Sequence, residues 1–326
     1  MRENKYRARK KFHSAALFKI TSRCNDLCKF CIERKFIEMK RENLSFKEIK
    51  NNFEYLKDNF NLDYVIITGG EPTLHPNFIK IIDYFYGQGT EFRIITNLLK
   101  FRNKDFFKKI LPYFLEKNKT DRTVNRNKVI GSINDLPINN SAIGRIEGLK
   151  NVLKQKLPLM LITVIYKDNL EFLPELIQYL DNLFKRYKYN KPINIELRLI
   201  YIEGTLDSLL KISLPTDFKK IKKFVQKTID IADSLGITLT LWNFPLCYLG
   251  EIPRLQGKTI QERRKRKLLK VNKDSQLRKI QVRDFEEYFK KSQACSSCLY
   301  NDYCSGIDGA YITKYHFPQL KPYDEN

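Results

Sequence analysis

Cys24, Cys28 and Cys31 place three thiols inside eight residues, in the run Cys24-Asn25-Asp26-Leu27-Cys28-Lys29-Phe30-Cys31. They follow the apolar run Ala15-Ala16-Leu17-Phe18-Lys19-Ile20, which reads as a strand emptying into a loop. Three thiolates at this spacing can wrap one metal centre but cannot close a four-ligand site. An iron–sulfur cubane held this way leaves one iron without a protein ligand. That open iron is a docking point for a small chelating molecule, as the open position of a catalytic zinc is. A zinc knuckle completed by a distant ligand, or a chance cluster of thiols, are the alternatives that the residues alone leave open.

A second stretch bears on the choice. Tyr64-Val65-Ile66-Ile67-Thr68-Gly69-Gly70-Glu71-Pro72 is an apolar, β-branched run ending in a glycine pair and an acid. Glycine lets the backbone turn sharply and approach a ligand with no Cβ in the way. Glu71 would be an acceptor at a strand end, suited to an ammonium group. A plain strand-to-helix turn is the simpler reading of the same residues.

With both stretches in one chain, the sequence resembles the radical SAM enzymes. Their signature is C-x3-C-x-aromatic-C, with Phe30 as the aromatic here, and the glycine pair with Glu71 is similar to the family's GGE motif. The resemblance implies that S-adenosylmethionine chelates the open iron of a [4Fe–4S] cluster through its amino and carboxylate groups. An electron from the cluster then cleaves the sulfonium to a 5′-deoxyadenosyl radical, which abstracts hydrogen from a substrate. It implies an electron donor such as flavodoxin or ferredoxin, and a partial (β/α)6 barrel.

The elements that must position these residues are visible as alternation. Strand-like runs at 15–21, 64–68, 91–96, 128–133, 159–166 and 193–200 alternate with helical patterns. The helical stretches are 45–58, 76–86, 103–117, 141–155, 171–187 and 215–235. Ser45 with Glu48 forms a capping box, Pro76 suits a first helical turn, and Gly236 stops the last helix. This predicts an α/β fold divided into a basic N-terminal arm (1–13), a barrel (14–236) and a small C-terminal domain (237–326). In barrels of parallel strands the site lies at the C-terminal strand ends, where both motifs fall. Thr96 and Asn97 close the third strand, and Ser132 and Asn134 the fourth, at positions resembling those by which the family contacts its cofactor. Asp135 follows Asn134, so which of the two points inward stays open. Arg145 resembles an arginine that holds the cofactor carboxylate in peptide-modifying members, and Arg198 is a weaker candidate for the same task. His13, His75 and His316 are isolated, which argues against an imidazole-based metal site.

Beyond Gly236 the rhythm ends in a strand-like run, 237–242, that leads to Cys247. Residues 254–283 hold twelve Lys and Arg against Glu262 and Asp274, including the run Arg263–Lys267. Then come Cys295, Cys298 and Cys304, a C-x2-C-x5-C that Cys247 can complete to four thiolates, with iron–sulfur or zinc as the bound group. The pattern resembles the SPASM and Twitch extensions of radical SAM enzymes, which implies a second, auxiliary [4Fe–4S] cluster serving electron transfer. Tyr300, Asp302 and Tyr303 have no assigned duty.

The 326 residues carry 60 Lys and Arg against 37 Asp and Glu, a net charge of +23. Such a balance admits nucleic acid or an acidic peptide as partner, or simply a lysine-rich solvated surface. No apolar run reaches a membrane span, and the basic start lacks the apolar segment of a signal peptide, so no membrane is expected and the cytoplasm is the default location. All seven cysteines are used by a three-plus-four partition. The resemblance to radical SAM enzymes that carry a SPASM or Twitch segment implies radical chemistry on a peptide or protein substrate, which would be cross-linked, epimerised or oxidised. RNA modification, a Twitch-type small-molecule dehydrogenase or cyclase, and a non-enzymatic metal-binding protein are the alternatives.

Overall fold

The computed structural model describes residues 13–31, 42–115, 126–199, 218–245, 247, 267–271, 281–282, 289–302, 304, 306–309, 311–312 and 316. The basic arm up to residue 12 and the basic run through Arg266 lie outside them. From the start the elements are β1 (His13–Thr21), α1 (Phe46–Asn59), β2 (Asn61–Gly69), α2 (Phe78–Gly87) and β3 (Phe92–Thr96). There follow α3 (Lys104–Ile110), α4 (Pro112–Leu115), β4 (Lys128–Ser132), α5 (Asn140–Lys154), β5 (Leu159–Ile165) and α6 (Leu173–Arg186). The alternation closes with β6 (Asn194–Leu199), α7 (Phe218–Ser234) and β7 (Thr238–Trp242).

Strands β1 to β7 lie parallel and in chain order within one sheet. Right-handed crossovers then carry the connecting helices to one face, without the reversal of a doubly wound sheet. The sheet therefore has the strand order of a barrel that has been opened. The α/β fold class is as expected, with one strand more. Six βα units were expected, and the run 237–242 joins as a seventh strand, parallel to β6. Its alternation explains the addition, because Leu239 and Leu241 are buried and their pairing covers the free edge of β6. On the far side of β1 the sheet continues with β8 (Lys267–Val271), parallel to β1, and β9 (Gln281–Val282), antiparallel to β8. The sheet thus takes segments from both sides of residue 236.

Local sequence sets the elements. In α1 the capping box is formed: the Glu48 N–H donates to Ser45 Oγ at 3.2 Å, and the Ser45 N–H to Glu48 Oε2 at 2.7 Å. The buried stripe of this helix, Ile49, Phe53 and Leu56, packs toward Phe18 of β1 through Phe85 of α2. The second helix starts at Phe78, past Pro76, because the ring of His75 captures the Asn77 N–H (3.0 Å) and forms a turn first. The helix expected over 103–117 divides at Pro112, which has no N–H to continue the ladder. Gly236 ends α7 with φ +69°, as its conformational freedom allows.

Candidate active site

The backbone brings the first two motifs together. At the end of β2 the Gly70 N–H donates to the Thr21 carbonyl (2.8 Å) and the Glu71 N–H to the Arg23 carbonyl (2.7 Å). The β1–β2 contact thus continues past the strands into the cysteine loop. Glycine is required there. A Cβ on Gly69, whose φ is +154°, would stand 2.1 Å from the Thr21 oxygen, and one on Gly70 would stand 2.4 Å from the Arg23 oxygen. The loop leaves β1 after Thr21 and the chain returns at 42–44, where Ser22 N–H donates to Glu42 O and Leu44 N–H to Ile20 O, both at 2.9 Å.

Glu71 is fully buried, and its carboxylate is held by four donors. Oε1 accepts from Thr73 Oγ1 (2.6 Å), Thr96 Oγ1 (2.8 Å) and the Thr73 N–H (3.1 Å), and Oε2 from the Asn97 N–H (2.7 Å). Burial pushes this carboxyl above the ordinary glutamate range, and the four hydrogen bonds oppose the shift. A carboxylate offers about four acceptor sites, so the side chain is occupied in tying the end of β2 to the end of β3. Asn97 extends the tie, because its Nδ2 donates to Asn25 Oδ1 in the cysteine loop at 2.9 Å.

A second anchor comes from α5. Arg145, buried, directs Nε (3.0 Å) and Nη2 at Asp26 Oδ2, with Nη2 also 2.8 Å from Cys28 Sγ and Nη1 3.2 Å from the Ser132 carbonyl. Ser141 donates to the same Asp26 oxygen at 2.8 Å. Burial pushes the Cys28 thiol up and the adjacent guanidinium pulls it down. Cys24 is pushed up to about 11, first by burial, with a hydrogen bond from the Asp26 backbone opposing. Arg145 supplies a counter-charge at Cys28, and a bound cationic metal group would offset the cost of desolvated thiolates at these partly buried cysteines by holding all three deprotonated. The donor set therefore fits a thiolate-ligated group.

The end of β5 supplies the third anchor. The Phe30 ring packs on Tyr166 at 4.9 Å between centroids, and Lys29 Nζ pairs with Asp168 Oδ2 at 2.7 Å. Asn134 is buried and spent on β5, with Oδ1 accepting the Val164 N–H (2.7 Å) and Nδ2 donating to Ser132 Oγ (2.9 Å). Its neighbour Asp135 accepts the Tyr166 hydroxyl. Arg198 pairs with Glu196 on its own strand and lies 5.6 Å from the Trp242 ring. Sequence reasoning passed over Asp26, Ser141, Tyr166 and Asp168. The first stands between two cysteines, and its acidity there is the signal that could have marked it.

Cys295, Cys298 and Cys304 sit in a series of tight turns between β10 (Phe289–Lys290) and β11 (Ile307–Asp308), an antiparallel pair, while Cys247 follows β7. The Cys298 N–H donates to Cys295 O (3.2 Å), the Cys304 N–H to Tyr300 O (2.9 Å) and the Gly306 N–H to Cys304 Sγ (3.3 Å). Burial pushes Cys247 up to about 12, and the nearby thiols of Cys304, Cys298 and Cys295 add to the shift in that order. Cys247 thus lies within electrostatic reach of the other three thiols. Among the described residues, however, no three His, Cys, Asp or Glu side chains converge as closely as a single metal ion requires. Tyr303 lies outside the described residues.

Residues 18–119 match the Radical SAM superfamily. Over 79 residues, 24% of this chain and 27% of the other, the sequence is 38% identical to an S-adenosylmethionine-dependent nucleotide dehydratase of Selenomonas ruminantium. The chain spans 27% and 57% of the length of the curated relatives it matches. Two solved structures share its fold at low identity. SuiB of Streptococcus suis, bound to its precursor peptide SuiA, aligns with TM-score 0.62 and 15% identity over 99% of this chain and 77% of that one. The structure of anSMEcpe with bound AdoMet and Cp18Cys peptide aligns with TM-score 0.57 and 13% identity over 96% of this chain and 92% of the other.

Proposed function

From the Radical SAM superfamily domain at residues 18–119, we propose that the chain is an enzyme that cleaves S-adenosylmethionine reductively and abstracts hydrogen from a peptide or protein substrate. The observation that carries this reading is the three-cysteine loop fastened to the Gly69–Gly70 strand end by the Gly70 and Glu71 amides. Bound there, a [4Fe–4S] cluster and S-adenosylmethionine supply the electron transfer and sulfonium cleavage that yield a 5′-deoxyadenosyl radical.

The chain's own residues then have separable duties. Cys24, Cys28 and Cys31 hold the cluster, and Phe30 is fixed against Tyr166 so that the loop keeps one shape. Gly69 and Gly70 let the strand end close onto the Thr21 and Arg23 carbonyls, and that backbone would receive the ligand's amino end, while Glu71 holds it together with Thr96 and Asn97. Ser132 and Asn134 set the neighbouring strand end. Cys247, Cys295, Cys298 and Cys304 would hold an auxiliary, Twitch-like [4Fe–4S] cluster, in a stretch whose β7 and β8 are built into the main sheet. Closed to substrate by four thiolates, a cluster held there would supply electron transfer to or from a substrate intermediate.

The peptide reading rests on this second cysteine segment, and the folds shared with SuiB and anSMEcpe, each solved with a bound peptide, support it. A cytoplasmic reductant of the flavodoxin or ferredoxin class would deliver the electron. A nucleotide substrate is the second reading, favoured by the 38% identity to a nucleotide dehydratase over 24% of this chain.

The test is anaerobic reconstitution of the wild type and of a Cys24/Cys28/Cys31→Ala variant, followed by iron, sulfide and 5′-deoxyadenosine measurement. The expected result is about four irons fewer in the variant, with 5′-deoxyadenosine released by the wild type alone under dithionite. Zinc without sulfide in the wild type, and no 5′-deoxyadenosine, would overturn the enzyme reading. Supplying peptide or nucleotide pools and measuring which one stimulates release separates the two substrate readings.

A further inference from the structure

The geometry points to Arg145 and Asp26 as a buried charge pair that sets the reduction potential of the cluster on the cysteine loop. This inference rests on the cluster reading above. Arg145 is 6% exposed, and its guanidinium is occupied on three sides: by the Asp26 carboxylate, by Cys28 Sγ and by the Ser132 carbonyl. A planar fork used this fully is not free to clamp a further carboxylate. It is well placed to donate a hydrogen bond to a ligating sulfur. Hydrogen bonds to cluster sulfurs and local charge tune reduction potential. One-electron reduction adds a negative charge to the cluster, so an N–H donor and a cation at Cys28 favour the reduced form. Asp26, tied to the same guanidinium and to Ser141, opposes that charge and fixes its position. The two residues stand 119 apart in sequence, so only the docking of α5 onto the loop brings them together.

Opposite signs make the pair testable. The potential of the reconstituted cluster is read without S-adenosylmethionine, by dye-mediated titration with dithionite and detection of the reduced cluster by electron paramagnetic resonance. Asp26→Asn keeps the hydrogen bond from Ser141 but removes the opposing charge, and it should make reduction easier. The double variant Asp26→Asn with Arg145→Gln removes both charges, leaves no buried ion unpaired, and should make reduction harder than in Asp26→Asn alone. A tenfold change in the reduction equilibrium reads as about 59 mV for one electron. Comparable iron and sulfide content across the three proteins shows that each shift is electrostatic and not loss of cluster. Should both variants hold the wild-type potential while losing affinity for S-adenosylmethionine, Arg145 acts on the cofactor carboxylate and the inference fails, with the cluster reading intact. The inference fails equally if both variants lose the cluster, since the pair is then scaffolding. A wild type with no reducible cluster overturns the underlying reading instead.

Discussion

At the scale of single residues, the least expected arrangement is around Glu71. The sequence marks it as an acceptor for an ammonium group, yet the structure closes its acceptor sites with Thr73, Thr96 and Asn97. Replacing it with alanine would leave the Thr73 and Asn97 amides and two hydroxyls to find new partners. Each buried donor left unsatisfied costs about 1–3 kcal/mol, so Glu71→Ala should lower the unfolding free energy by at least about 2 kcal/mol. Denaturant unfolding of the variant tests this. An unchanged midpoint together with weakened S-adenosylmethionine binding would return Glu71 to direct ligand contact. His75 shows the same contrast between motif and duty. Its Nδ1 accepts the Asn77 N–H, so the ring is neutral, with Nε2–H donating to the Leu44 carbonyl at 2.8 Å. Burial lowers its pKa from the ordinary value of 6.5. Below pH 6.5 the unfolded chain therefore takes up a proton that the folded chain resists, and stability must fall as the pH drops. Melting temperatures should decline between pH 7.5 and about 5.5 more steeply for the wild type than for His75→Gln. Parallel slopes would remove His75 from the account.

At the scale of elements, α5 is set by how closely it lies on the turn after β3. A Cβ on Gly148 would meet the Leu98 carbonyl at 2.1 Å, and Leu98 itself has φ +65°, a conformation that bulky residues seldom adopt. On propensity alone, glycine to alanine within a helix gains about 1 kcal/mol. Contact with a fixed backbone oxygen reverses the sign, so Gly148→Ala should destabilise by more than about 1 kcal/mol in denaturant titrations. A stabilised variant would show that α5 can back away from the turn. The same docking carries Arg145 and Ser141 to Asp26. Gly148→Ala should therefore also loosen the cysteine loop, read as slower or lower iron incorporation during reconstitution. The α5 helix is thus the lever that links the sheet to the loop.

At the scale of the whole molecule, one sheet organises both ends of the chain, because β8 pairs with β1 while β7 caps β6. Among the described residues no helix is long and apolar enough to cross a membrane. If the four C-terminal thiols hold their own cluster, a Cys247/Cys295/Cys298/Cys304→Ala variant should lose about four irons and keep S-adenosylmethionine cleavage in the absence of substrate. Loss of one zinc and no iron would assign those cysteines a structural metal. By itself the sequence determined the parts whose cause is local. Strand and helix alternation, the Ser45–Glu48 cap, the stop at Gly236 and the two motifs at strand ends all follow from periodicity, capping chemistry and spacing over a few residues. Only the tertiary structure decided what depends on contacts between distant segments. That Glu71 faces Thr96 and Asn97, that Asn134 turns to Val164 while Asp135 takes Tyr166, and that Arg145 meets Asp26 and Cys28 are outcomes of parallel register and helix docking. A polar side chain at a strand end has the same local signature whether it faces a ligand or a neighbouring strand, and packing chooses between them.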